Sequence, residues 1–192
     1  MKSVFAAMFL VLSSAIVWAS GGNPDGKFNI NLETSKIDWK GYKVLGQHDG
    51  YIKFKSGSLV FDNGNLVGGE FVVDMSSLVC TDLSGKGKDN LEGHLKSDDF
   101  FGVATFPTSS LKITKVVSRG KPGEYKVTAN LTIKSTSKEI KFNATVLDGN
   151  ATAAIKVDRS EFDIRYGSGS FFDSLGDKTI YDEFDLTINV KY

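Results

Sequence analysis

Residues 125–157 read YKVTANLTIKSTSKEIKFNATVLDGNATAAIKV, and their periodicity decides the fold class. Tyr125, Val127, Ala129, Leu131 and Ile133 alternate with Lys126, Thr128, Asn130 and Thr132. Successive side chains of a strand point to opposite faces, so this run is a strand with one dry face and one wet face. Ile140, Phe142, Ala144 and Val146 repeat the pattern, and so do Ala151, Ala153, Ile155 and Val157. Between the last two lies Asp148-Gly149-Asn150, a turn signal.

Outward from this core the pattern continues. Phe184, Leu186, Ile188, Val190 and Tyr192 share one face of a final strand. Upstream, Ile37 with Trp39, Ile52 with Phe54, and the apolar runs 59–61, 71–73 and 111–117 read as further strands. Asp62-Asn63-Gly64-Asn65 suits the positive φ values of a type I′ hairpin turn, and Pro122-Gly123 marks another turn. The pattern gives about eight antiparallel strands. Such a sheet has two exits, a sandwich or a closed barrel, and only the barrel removes exposed edges. A barrel of about eight strands is wide enough to be filled by side chains or to hold one small ligand.

Two segments interrupt the strands. Residues 81–106 contain Lys88-Asp-Asn-Leu-Glu-Gly-His-Leu-Lys96, which predicts a short helix. Residues 158–183, DRSEFDIRYGSGSFFDSLGDKTIYDE, predict a long connection into the last strand. Loops beyond about 12–15 residues are functional or disordered, and disordered segments are poor in aromatics. Phe162, Tyr166, Phe171, Phe172 and Tyr181 therefore predict a loop packed over something.

With 192 residues, 41% of them hydrophobic and 24% charged, the chain has the composition of one globular domain. Lys plus Arg and Asp plus Glu both count 23, which argues against a nucleic-acid partner. Lys2, the apolar run Val4–Val17 and the small residues of Val17-Trp18-Ala19 predict a cleavable export signal over residues 1–19. That run is too short for a spanning helix, so no stable membrane insertion is expected. Residues 20–35 read as a linker and 36–192 as the folded domain. Cys80 is the only cysteine, so neither an internal disulfide nor a lipid-bearing N-terminal cysteine is available.

Catalytic patterns are weak. Gly167-Ser-Gly-Ser170 lacks the spacing of a nucleophile elbow, and Gly85-Lys-Gly-Lys88 lacks that of a phosphate-binding loop. His48 and His94 are the only imidazoles, with no close ligand pair for a metal. Neither a catalytic site nor a metal site is expected. Phe100-Phe101 and Phe171-Phe172 stand out because neighbours on an extended chain point opposite ways, so one of each pair can face an interior.

Several stretches together resemble the YceI family: Gly46-Gln-His-Asp-Gly50, Gly69–Met75, Gly93-His-Leu-Lys-Ser-Asp-Asp-Phe-Phe101 and Phe106-Pro-Thr108. Leu131–Lys134, Asp158-Arg159, Ile164–Lys178 and Asp182-Glu-Phe184 complete the likeness, which spans residues 36–192. The resemblance implies an all-β, antiparallel, eight-stranded lipocalin-like barrel with a short helix and a long loop, enclosing an apolar cavity. It implies an exported, periplasmic or secreted carrier of a polyisoprenoid, an isoprenoid quinone or a related lipid, without catalysis and without any other cofactor. A homodimer is also implied as an option, with Cys80 able to cross-link two copies if exposed.

On this reading Trp39, Phe54, Phe71, Phe101, Phe142, Ile155, Phe171, Phe172 and Phe184 line the cavity. His48, His94, Lys96, Arg159, Arg165 and Tyr166 attend a head group at the mouth, with Phe171 and Phe172 as its roof. For Arg159 and Arg165 the competing role is an ion pair with Asp158, Asp163, Asp173 or Asp177, and for the histidines a structural hydrogen bond. The alternatives are a hydrolase or isomerase using His94 with nearby carboxylates, and an interaction module whose barrel is filled by its own side chains.

Overall fold

The computed structural model describes residues 25–192. The expected signal at 1–19 lies outside the described residues. Nine strands form one sheet: β1 (Gly26–Asn29), β2 (Lys36–Lys43), β3 (Gly46–Asp62), β4 (Asn65–Cys80), β5 (Thr108–Ser118), β6 (Glu124–Ile133), β7 (Thr136–Leu147), β8 (Asn150–Asp158) and β9 (Ile180–Lys191). The order β3-β2-β9-β8-β7-β6-β5-β4 closes on itself through β3–β4 pairing, so β2 to β9 make an eight-stranded antiparallel barrel. Helix α1 (Gly85–Lys96) lies between β4 and β5.

The stretch 20–35, read as a linker, contains β1. Lys27 pairs with Val60 and Phe28 with Leu59. β1 and β2 thus share one edge of β3, β2 on its first half and β1 on its second. The apolar signal is too short to announce it, because Phe28 is the only large apolar residue among its four.

β3 is one strand where the sequence pattern suggested two. Phe54 pairs with Val73 but Ser56 pairs with Val72, which leaves Lys55 as an extra residue. Such a bulge switches which alternate residues face inward. Ile52 and Phe54 are buried before it, Leu59 and Phe61 after it. The bulges also bend β3 and β4 around a narrow barrel. Gly50 permits the closest approach: a Cβ there would lie 1.8 Å from the Val79 carbonyl oxygen and 2.8 Å from the Trp39 ring.

The turns follow the sequence. Asn63 and Gly64 have φ of 49° and 72°, and Asp148 and Gly149 have 52° and 74°, as type I′ turns require. Topology then sorts the connections. The 62–65, 118–124 and 147–150 turns gather at one end of the barrel, while the β2–β3 hairpin, α1 with the segment after it, and the β8–β9 connection gather at the other.

Candidate functional site

The inward faces do not meet. They surround a cavity of about 350 Å³ that runs from the α1 end toward the turn end. Apolar side chains from every barrel strand line it, and Leu91 and Leu95 of α1 close it from above. Leu91 and Leu95 went unread in the sequence, although their i, i+4 spacing marks one helix face. A barrel filled by its own side chains, one of the alternatives above, is not what the interior contains.

Seven of the expected lining residues face this cavity: Trp39, Phe54, Phe71, Phe101, Phe142, Ile155 and Phe184. Both Phe100 and Phe101 line it, because they lie in a turn rather than on a strand with strict alternation. Phe171 and Phe172 do not, which corrects the expectation that they roof the cavity. They are 40% and 49% exposed, and the Arg165 guanidinium lies 4.8 Å from the Phe171 ring centre on the protein surface. The β8–β9 connection packs inward through Phe162, Ile164 and Ser168 instead, all fully buried. Adjacent aromatics in a loop carry no period that tells which side is inside.

At the α1 end, Lys43 and Tyr181 line the cavity yet remain exposed, which puts a mouth there. There the β2–β9 ladder is irregular. Gly41 pairs with Phe184 and Lys43 with Ile180, so one residue of β2 faces three of β9. Gly41 also lines the cavity, with open space where a side chain would stand.

Of the expected head-group residues, His48 and Arg159 reach the cavity wall, whereas His94, Lys96, Arg165 and Tyr166 do not. Arg159 is 4% exposed and its guanidinium is spent on the protein. It donates to the carbonyls of Ile164 at 2.9 Å, Ile180 at 3.0 Å and Tyr181 at 3.2 Å. Its charge is met by Asp182 at 3.3 Å, an ion pair rather than an aligned hydrogen bond, and Asp182 was not among the partners the sequence offered. Burial lowers the Arg159 pKa from its ordinary value while Asp182 and then Asp158 oppose that, and the group stays a cation. Arg159 therefore clasps both ends of the β8–β9 connection. Arg165 pairs with Asp163 at the surface, as its competing role required.

His94 stands edge-on to Tyr166 and Phe100, with ring centres 4.4 Å and 5.0 Å away. Its Nε2 is 3.8 Å from Asp99, beyond hydrogen-bond distance. Tyr166 and His94 thus brace α1 against the β8–β9 connection outside the cavity.

His48 is held differently. Its Nδ1 is 2.8 Å from Asp82 Oδ2, and Asp82 Oδ1 accepts from the Asp49 N–H and the Cys80 thiol at 3.1 Å each. Burial works against the charge on Asp82, but hydrogen bonds from Cys80 and His48, with that of Asp49, hold its carboxyl down at about 2. Burial and then Asp82 push the Cys80 thiol up, so it is not a poised nucleophile. Cys80 is also 0% exposed, which closes the cross-linking route that required an exposed thiol.

A closed antiparallel barrel around one apolar chamber, ported at one end, defines the class of ligand-binding β-barrels. The chain belongs to the YceI family: the family model described as YceI-like domain matches residues 28–192, beginning inside β1. The fold is similar to BcnA of Burkholderia cenocepacia, with 20% identity and a TM-score of 0.67 over 84% of this chain and 98% of that one. A polyisoprenoid binding domain from Saccharophagus degradans, implicated in plant cell wall breakdown, matches at 13% identity and TM-score 0.58 over 87% and 97%. The Campylobacter jejuni YceI protein matches at 21% and 0.54 over 72% and 81%. No curated protein matches the chain.

Proposed function

We propose that the protein is an exported carrier of a long apolar amphiphile, a polyisoprenoid or isoprenoid quinone or a related lipid, held in the barrel interior. One observation carries this reading: a chamber of about 350 Å³ with an apolar wall, in a family fold shared with a polyisoprenoid binding domain. Each methylene moved from water into such a chamber gains about 0.8 kcal/mol. The apolar segment at 4–17 supports an address outside the cytoplasm, periplasmic or secreted. No described helix is long and apolar enough to cross a membrane.

The test is direct. Organic extraction of the purified protein, followed by mass spectrometry, is expected to yield an isoprenoid lipid. Trp39 lines the cavity and gives a fluorescence signal for titration with geranylgeraniol or a short-chain quinone. No extracted lipid, together with no response to either titrant, overturns the reading. Catalysis through His94 has less support, since that ring packs between aromatics and does not line the cavity.

A further inference from the structure

Most polar side chains that line the cavity near its mouth are already committed. Tyr42 donates to Asp185 at 2.6 Å, and Arg159 donates to three carbonyls. Lys43 and Tyr181 stand in solvent. His48 lines the cavity with one ring nitrogen committed to Asp82, and its Nε2 has no hydrogen-bond partner among the described residues. An ionised carboxylate only accepts, so Asp82 fixes the proton on Nδ1 and leaves Nε2 of the neutral ring as an acceptor. Asp82 is itself locked by the Asp49 N–H and the Cys80 thiol, so the ring is oriented before any ligand arrives.

The residue opposite His48 in the β2–β3 ladder is Gly41. Directly opposed residues of an antiparallel pair project to the same face. Gly41 contributes no side chain there, and a Cβ would meet nothing within 4 Å. An acceptor therefore stands beside an empty notch at the mouth of an apolar chamber.

We propose that Gly41 and the His48–Asp82 pair form a head-group subsite that selects amphiphiles ending in a hydrogen-bond donor, an alcohol or a phenol, over those ending in an ether or a hydrocarbon. This inference rests on the carrier reading above, because the chamber must hold the tail for the subsite to read the head. The committed polarity of Tyr42 and Arg159 leaves His48 as the oriented acceptor for that donor.

The experiment compares geranylgeraniol with its methyl ether by Trp39 fluorescence titration of the purified protein. The protein is expected to prefer the alcohol by roughly three- to tenfold, the effect of one net hydrogen bond. His48→Leu is expected to bring the ratio of the two affinities to near one. A second readout needs no variant: the alcohol, and not the ether, is expected to shift the His48 Nε2 resonance in a long-range ¹H–¹⁵N spectrum. Equal affinities for the two probes overturn the subsite, as does a preference that survives His48→Leu or an Nε2 signal unmoved by the alcohol. Failure of both probes to bind the unaltered protein overturns the carrier reading itself, and so separates the two.

Discussion

At the turn end of the barrel, Phe61 stacks on Tyr192 with ring centres 5.3 Å apart, Phe28 meets Phe61 edge-on at 5.9 Å, and the Tyr125 hydroxyl accepts the Leu66 N–H. At the other end the wall breaks its register beside Gly41 and is held by polar clasps, Arg159 on the β8–β9 connection and Asp82 on His48. Both ends belong to one closed sheet, yet one is a plug and the other a port. The difference lies in side-chain volume and in how the connections are anchored. Short turns bring large aromatics together over the first end. Long connections at the second end are held by directional bonds, which fix the backbone without filling the space beneath it.

The largest contrast is expected in stability. Phe61→Ala, in the plug, is expected to cost about 3–5 kcal/mol in denaturant unfolding, whereas Phe142→Ala, whose ring already fronts open space, costs about 1–3 kcal/mol. Equal costs would mean that the plug and the cavity wall are packed alike. Next, Arg159→Met leaves three carbonyls and Asp182 without their partner and is expected to cost about 2–3 kcal/mol. Hydrogen exchange checks where the loss falls: amides of residues 159–180 should speed up while those of β6 hold.

A smaller effect depends on pH. Asp82 has its carboxyl held down at about 2, below its ordinary 3.8, so its contribution is complete above about pH 4 and lost as pH falls through 2. Because solvent reaches this carboxylate, about 1 kcal/mol is expected to disappear, and Asp82→Asn should flatten that part of the acid-unfolding curve. Least of all, Phe171→Ser with Phe172→Ser should change stability by within about 0.5 kcal/mol, since both rings are exposed. A large loss would show that the loop packs on them after all.

The strands were legible because a period of two survives wherever one face is dry. β6 shows this cleanly: Tyr125, Val127, Ala129, Leu131 and Ile133 are all buried. At β3 the period failed at one extra residue, Lys55, and a single strand looked like two. The cavity wall was legible where it lies on strands, as with Phe54, Phe142 and Phe184. In the β8–β9 connection no period exists, and inside and outside were exchanged. The residues chosen as a roof lie in solvent, while Phe162 and Ile164 hold the loop down. Arg159, expected at a head group, is held by three backbone carbonyls and Asp182, and backbone partners leave no mark in a side-chain pattern.

Local pattern alone was enough for the faces of β6 to β9, the turns at Asn63-Gly64 and Asp148-Gly149 and, through motif likeness, the barrel family. Those properties are carried by neighbours within a few residues of each other. Whether the interior is full or hollow, where it opens, and which histidine meets it were settled only by tertiary structure. A cavity is the volume left over when eight distant strands close, and a tautomer is fixed by a carboxylate that arrives from another strand's end. Asp158 to Glu183 is accordingly the clasp of the open end, with Arg159 as its pin.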